Sequence, residues 1–312
     1  MAENLKKKIK LVKKSANYLG KRLSRCDICP RNCKVNRLKG EKGYCGTGKE
    51  MVVYSTFLHH GEEPGISGQK GSGTIFFSGC NLKCIYCQNY KFSHTVVGKK
   101  ISEIDLAKIM LNLQEEGAHN INLVTPTHFV PQILNSLSLA FEDGLTIPIV
   151  YNTSGYEKKD IVKCLNGIVD IYLTDLKYLD SSLAKQYSKA PKYPKFALKS
   201  LLEMNRQVKP LTSENLLKKG VIIRHLVLPN HINESKALLL WIKKNTPKAL
   251  VSVMFQYQPY FKAYLHPQIN RPINYQEYLE IKNFVDELEL GGWVQDHNPK
   301  EGMAGHYFEP NI

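Results

Sequence analysis

An α/β fold built on a parallel sheet is predicted by three features of the chain. Six short runs rich in β-branched and aromatic residues alternate with helical patterns from residue 74 onward. The segments that close these runs carry polar or cysteine side chains, where such folds collect their working groups. The length of 312 residues suits one dominant domain with a full core. Six βα units in succession imply right-handed crossovers and a sheet rolled into a barrel or an open part of one.

In chain order, residues 3–22 read as a basic amphipathic helix with Leu5, Ile9, Leu11, Val12, Ala16 and Leu19 as its apolar stripe. Helical periodicity then vanishes in SRCDICPRNCKVNRLKGEKGYCGTGKE, which is too short to hold a core and is expected to need a metal to be ordered. Strands are expected at GTIFFS, NINLVT, TIPIVYN, VDIYLTD, VIIRHLVL and LVSVMF. Helices are expected near 102–117, 130–142, 157–166, 180–208, 233–244 and 274–288. The final stretch, GGWVQDHNPKEGMAGHYFEPNI, lacks periodicity and is expected to cover one mouth of the barrel. The expected organisation is a Cys-rich leader over 1–50, a barrel over 51–290 and a tail over 291–312.

The net charge is +15, with a basic block near the start, KKKIKLVKKSANYLGKRLSR. Its lysines are spread widely, which favours a solvated surface over a dedicated anion-binding face. No apolar run approaches the ~20 residues of a membrane span, and no secretory leader is visible. A soluble, cytoplasmic protein with no membrane partner is expected. In that compartment the 8 cysteines, all but Cys164 in two tight groups, read as metal or cluster ligands rather than disulfides.

Cys80, Cys84 and Cys87 are spaced C-x3-C-x2-C in the loop after the first expected strand. Thiolates this close can wrap a compact iron-sulfur cube, yet they supply only three of its four corners. A structural zinc site that recruits His94 is the alternative. Upstream, Cys26, Cys29, Cys33 and Cys45 form a complete set of four, with Gly40, Gly43 and Gly46 allowing close backbone approach. That set suits either zinc or a second iron-sulfur cluster. Cys164 reads as a packed small hydrophobe. Among the histidines, His128 and His231 are best placed for a barrel mouth, although each is more often a cap or core residue.

The loop, with Tyr86 as the aromatic of C-x3-C-x-aromatic-C, resembles the signature of radical S-adenosylmethionine (SAM) enzymes. The leader CDICPRNC…GYCG and the phrases NLVTPTHFVPQIL and VYNTSGYE resemble the uncharacterised pyruvate formate-lyase-activating-enzyme-like family. The resemblance implies a partial (β/α)6 TIM-like barrel and a [4Fe-4S] cluster on Cys80, Cys84 and Cys87 whose open iron takes SAM. It further implies a one-electron donor such as flavodoxin or ferredoxin, cleavage of SAM to a 5′-deoxyadenosyl radical, and hydrogen abstraction from a substrate. By the same resemblance Asp175 and Lys177 in DLKY face the cofactor's ribose and methionine end. Asn152 and Ser154 in NTSGYE would join them, and Arg224 would neutralise the cofactor carboxylate. Relatives carry Gly-Gly-Glu after their second strand to hold the cofactor's amino group. Here TPTH stands there, so Thr127 or a backbone carbonyl is expected to take over. A histidine found in activases after the sixth strand has no counterpart in QYQPYFKA.

The substrate implied is a glycyl radical partner protein. Alternatives within the class are an RNA, to which the basic helix and leader cysteines would be suited, a peptide or a small molecule. From a different class comes a non-catalytic, zinc-stabilised nucleic-acid-binding protein.

Overall fold

The structure, a computed structural model, describes residues 2–298. It begins with α1 (Ala2–Lys21) and a Cys-rich segment held by two short 3-10 turns, Arg22–Arg25 and Arg37–Lys39. Then come β1 (Met51–His59), the single turn α2 (Pro64–Ser67) and β2 (Ser72–Phe77). The cysteine loop leads through α3 (Tyr90–Ser93) to β3 (Lys99–Ile101). The βα alternation runs α4 (Glu103–Glu115), β4 (Ile121–Val124), α5 (Val130–Glu142), β5 (Ile149–Thr153), α6 (Lys159–Lys163) and β6 (Ile171–Asp175). It continues with α7 (Ser181–Ser188), α8 (Tyr193–Gln207), the hairpin β7 (Leu211–Ser213) and β8 (Leu216–Leu226), then α9 (Ile232–Asn245) and β9 (Leu250–Met254). The last described elements are α10 (Tyr275–Glu287) and β10 (Gly292–Val294).

All six expected strands form, and they lie in the sheet in the order β2-β4-β5-β6-β8-β9 with every pair parallel. The expected partial barrel is therefore the fold. Four further strands were not expected from the sequence. β1 and β3 add antiparallel pairs beyond β2, β10 adds a parallel pair beyond β9, and β7 folds back on β8. Glu214 and Asn215, both at positive φ, make the tight β7–β8 turn. β10 carries the sheet past residue 290, into the segment read as tail, while residues 299–312 lie outside the described part. The expectation that the tail covers the barrel mouth falls mostly on those residues.

The expected helix over 180–208 is two helices. Lys189 takes a left-handed conformation as the C-cap of α7, and Pro191 disfavours helical geometry at Ala190, so the chain restarts at Tyr193. α1 buries Val12, Ala16 and Leu19 and lies on α5. Lys13 pairs with Glu142 (2.6 Å) and Lys8 with Asp170 (3.4 Å), so part of the basic helix is neutralised by the barrel's own acids. No described helix is long and apolar enough to cross a membrane.

The sheet is open, but it curls. Glu62, just past β1 at one side, comes within 3.7 Å of Arg224 on β8 near the other. The connection that makes this approach possible is the segment 60–67, which turns into the barrel instead of passing outside it. Pro64 starts α2 with a preset φ, and Ile66 is driven among Val150, Ile171, Leu173, Leu217 and Ile222, all buried. This apolar plug closes the lower end of the barrel. Ile66→Ala should cost about 2–4 kcal/mol, because the rigid strands around Ile66 cannot collapse into the void. Urea unfolding checks it, and a loss well under 1 kcal/mol would mean that the plug is not part of the core.

Candidate functional site

Above the plug lies a cavity of about 250 Å³ at the carboxyl ends of the strands. Cys80, Cys84 and Cys87 line its mouth. The loop carrying them turns sharply, with Lys83 at positive φ, and is fixed by donors aimed at sulfur. The Leu82 N–H reaches Cys80 Sγ (3.3 Å) and the Ser188 hydroxyl donates to Cys84 Sγ (3.0 Å). Ser93 Oγ lies 3.2 Å from Cys87 Sγ. Tyr86 extends the network, its hydroxyl 2.6 Å from that of Tyr178, which in turn meets Ser188 Oγ at 3.0 Å. Burial pushes the Cys84 thiol up to about 11 and the Cys87 thiol up to about 12, so a cation at the sulfurs is what would favour their thiolates. His94 is not a fourth ligand: its Nε2–H donates to the Cys84 carbonyl (2.9 Å) and its ring packs on Phe261.

Asn152, Ser154, Asp175, Lys177 and Arg224, expected from the strand ends, all line the same cavity. They are already paired with one another. Arg224 Nε donates to Asp175 Oδ1 (2.9 Å) and its Nη2 to Asn152 Oδ1 (2.6 Å), while Lys177 Nζ holds Asp175 Oδ2 (2.7 Å). Burial opposes ionisation of Asp175, but Lys177 and Arg224 overcome it and hold the carboxyl below its ordinary range. Ser154 Oγ is buried with no hydrogen-bond partner, a polar atom waiting for one from a ligand. Gly155, at φ +78°, is required beside it, since a Cβ there would stand 2.3 Å from the Asp175 carbonyl oxygen.

Thr127 is a correction. Its hydroxyl is 1 % exposed and donates to Glu157 Oε1 (2.5 Å), so it does not reach the cavity. At this strand end it is Thr125 that lines the cavity, at φ +58°, a strained conformation for a β-branched residue. Glu157 is wholly buried and also accepts from Thr153 (2.6 Å) and Tyr151 (3.3 Å), tying the end of β4 to β5.

Sequence reasoning missed Glu62 and Glu63. Both line the cavity beneath the Arg224 network because segment 60–67 enters the barrel. The signal available was EEPGIS between two apolar runs, a helical start that turns the chain tightly.

The leader cysteines meet at a second, much smaller cavity, lined by Cys26, Cys29, Cys33, Cys45 and His128. Among the described residues, no three His, Cys, Asp or Glu side chains stand close enough together to hold one ion. His128 is buried there rather than at the barrel mouth. Its Nε2–H donates to the Ser78 carbonyl (2.8 Å), its Nδ1 has no partner, and burial pushes its pKa down to about 3. His231 also lies off the cavity, with Nε2 2.8 Å from the Tyr187 hydroxyl. Cys164 stands apart at the end of α6, its thiol directed to the Asp160 carbonyl.

The leader is locked to the barrel loop by Arg31. Its guanidinium donates to the carbonyls of Asn81 (2.7 Å), Leu82 (3.1 Å), Ser188 (3.1 Å) and Lys189 (2.6 Å). Gly79, at φ +85°, admits the leader from the other side, where a Cβ would stand 2.6 Å from the Cys45 carbonyl oxygen.

A partial barrel with three thiols and a buried charge network at its carboxyl end defines an α/β enzyme class that holds a cluster and a polar cofactor together. Residues 74–242 match the family model described as "Radical SAM superfamily". The chain is 36% identical over 275 residues to "Uncharacterized protein MJ0674" of Methanocaldococcus jannaschii, an alignment covering 85% of this chain and 75% of that one. It belongs to the radical SAM superfamily and is thus an enzyme of SAM-dependent radical chemistry. Among solved structures, Streptococcus suis SuiB bound to S-adenosylmethionine is similar at TM-score 0.49 and 16% identity, over 72% of this chain and 51% of SuiB. Methylornithine synthase (PylB) is similar at TM-score 0.49 and 12% identity, over 69% of this chain and 60% of PylB. The chain thus spans about half to three-fifths of those structures' length.

Burial pushes the Glu157 carboxyl up to about 7. A raised acid lends stability that is complete below its unfolded pKa of about 4.5 and is lost as pH rises through about 7. Glu157→Gln keeps the neutral shape at every pH. Thermal melts should show the variant gaining on the wild type between about pH 4.5 and 7 and running parallel above that. A gap independent of pH would mean that folding leaves the Glu157 carboxyl unshifted.

Proposed function

We propose that Cys80, Cys84 and Cys87 hold a [4Fe-4S] cluster and that Asn152, Ser154, Asp175, Lys177 and Arg224 seat SAM against its open iron. The observation that carries this reading is a single cavity shared by the three thiols, the Asp175–Lys177–Arg224 network and the unpartnered Ser154 hydroxyl. Bound there, cluster and cofactor together would supply one-electron reductive chemistry at the sulfonium and, through it, hydrogen abstraction from a substrate. The chain's own groups do the rest. Ser188, Ser93 and the Leu82 N–H direct hydrogen bonds at sulfur and so orient the ligands and tune the cluster's potential. Lys177 and Arg224 offer cations to a carboxylate, Asp175 an anion to an ammonium or ribose hydroxyl, and Ser154 a free hydroxyl. Strained Thr125 stands where relatives hold the amino group. A flavodoxin or ferredoxin would supply the electron.

Activation of a glycyl radical partner is the reading suggested by DLKY and the Arg224 strand, but those motifs concern the cofactor's seat. A glycine Cα on a partner loop brings no charge, whereas the floor of this cavity carries Glu62 and Glu63. The floor therefore favours a small molecule or a peptide side chain lodged inside the barrel. Modification of RNA receives less support, since α1 spends part of its charge on Glu142 and Asp170. Cys26, Cys29, Cys33 and Cys45 are read as the ligands of a second centre, an iron-sulfur cluster or zinc, with His128, whose Nδ1 has no partner, lining the same cavity.

Anaerobically reconstituted protein given dithionite and SAM should release 5′-deoxyadenosine, and Cys84→Ala should reduce that release to background. Product from the Cys84→Ala protein at the wild-type rate would sink the assignment. Iron, sulfide and zinc analysis with and without the leader cysteines separates the two metals at the second centre: loss of iron and sulfide together marks a cluster, loss of zinc a structural ion.

A further inference from the structure

We propose that the barrel floor formed by Glu62, Glu63 and Asn122 recognises an ammonium group, carried by a small amine or by a lysine side chain. The proposal rests on the reading of the cavity as a chamber beneath SAM. Ile66 and its apolar neighbours seal the lower end, so whatever enters is stopped at a layer that is polar where a barrel interior would ordinarily be packed with branched aliphatics. Asn122 points inward on the face of β4 that carries the cavity-lining Val124, one pleat lower and in register with Val150 of the plug, so it lies under the floor carboxyls.

Three polar atoms of this layer are unsatisfied. Asn122 is 0 % exposed, and its amide, which lies against Glu62, makes no hydrogen bond of good geometry through either its oxygen or its nitrogen. Glu63 is 7 % exposed, and its Oε2 likewise has none. Leaving such groups unpaired in the interior costs about 1–3 kcal/mol each, so a ligand that pairs them recovers that energy.

The sign of the ligand follows from the charges in and above the floor. Three carboxylates, Glu62, Glu63 and Asp175, face two cations, Arg224 and Lys177. Asp175 takes the close contacts of both, and Glu62 and Glu63 share what remains of Arg224, which reaches Glu62 only at 3.7 Å, so the floor holds one acid in excess. Burial raises both floor carboxyls above their ordinary range, which Arg224 opposes, and a cation placed between them would reverse the shift. A compact ammonium brings three donors in a tetrahedral fan, matching two carboxylates and the Asn122 carbonyl. A flat guanidinium fits one carboxylate edge-on and leaves the amide unpaired. A carboxylate or phosphate would meet Glu63 at once.

Binding to the reconstituted enzyme, by calorimetry with and without SAM, tests this. n-Pentylamine, L-lysine and a short lysyl peptide are the ammonium probes, and 1-pentanol and pentanoate are the neutral and anionic controls of matched length. The ammonium probes should bind and the controls should not, with the tighter of the free amines and the peptide telling which source the chamber accepts. Glu63→Gln should weaken the ammonium probes by about tenfold or more, while SAM affinity and cluster absorbance stay at wild-type values. If that variant does not fold, Asn122→Leu should weaken the same probes about threefold or more. Failure of every amine to bind, equal binding of 1-pentanol, preference for pentanoate, or amine binding untouched by both substitutions would each overturn the proposal. Failure of the wild type to bind SAM would instead strike the cofactor reading, and the titration without SAM would still decide the floor.

Discussion

A guanidinium enclosed by a barrel must be surrounded by acceptors, and Arg224 imposes that demand on everything near it. Burying one charge without partners costs several kcal/mol, so the strands on either side have to answer it. They do so from three places in the chain: Asp175 at the end of β6, Asn152 at the end of β5, and Glu62 from the segment that dives in after β1. Because Asp175 and Arg224 are register partners on adjacent strands, their pairing also sets the level at which the barrel interior changes from apolar to polar. Below it lie Leu173 and Ile222 in the plug; above it lies Lys177. The proposed cofactor seat and the floor thus meet at Arg224, which makes its hydrogen bonds to Asp175 and Asn152 on the seat side and approaches Glu62 on the floor only at 3.7 Å.

The same economy links the two cysteine groups. Arg31 sits between Cys29 and Cys33, yet its hydrogen bonds end on the loop of Cys80 and Cys84 and on the C-terminal end of α7, where Ser188 reaches Cys84. Its guanidinium also lies 3.8 Å from the centre of the Tyr44 ring, next to Cys45. The leader segment has little core of its own, so its order and the loop's geometry are coupled physically through Arg31. A metal at the leader cysteines, as proposed above, would fix the residue that holds the barrel loop.

The parts of this molecule legible in the sequence are those governed by local rules. Alternating apolar runs placed the six parallel strands, and helical periodicity placed α4, α5, α9 and α10 close to their observed ranges. The cysteine loop was legible because its spacing is a local geometric necessity. β1 was not, since MVVYSTFLH follows a Cys- and Gly-rich stretch and pairs antiparallel at the sheet's edge, outside the βα rhythm. The choice between two threonines in TPT also failed locally. Residues before proline usually stay extended, but Thr125 turns left-handed toward the cavity, while Thr127 is claimed by Glu157 thirty residues away.

Glu62 and Glu63 show why the floor was invisible. In sequence, GEEPGIS looks like a solvated loop, and two acids before a proline and a glycine carry no signal of burial. Only the tertiary path, with Ile66 as the anchor that drags the acids inward, gives them a function. A stability argument alone would fill this layer with leucine or valine, since Asn122 and the Glu63 Oε2 bring desolvation without return. Departures of that kind from the consistency that folding favours are concentrated where a ligand completes the bonding. The plug beneath is apolar and the network above is closely paired, yet unpartnered polar atoms stand at both ends of the cavity, Ser154 Oγ beside the network and Glu63 Oε2 on the floor. Where such atoms border a cavity, a ligand can supply the bonds that the fold leaves unmade.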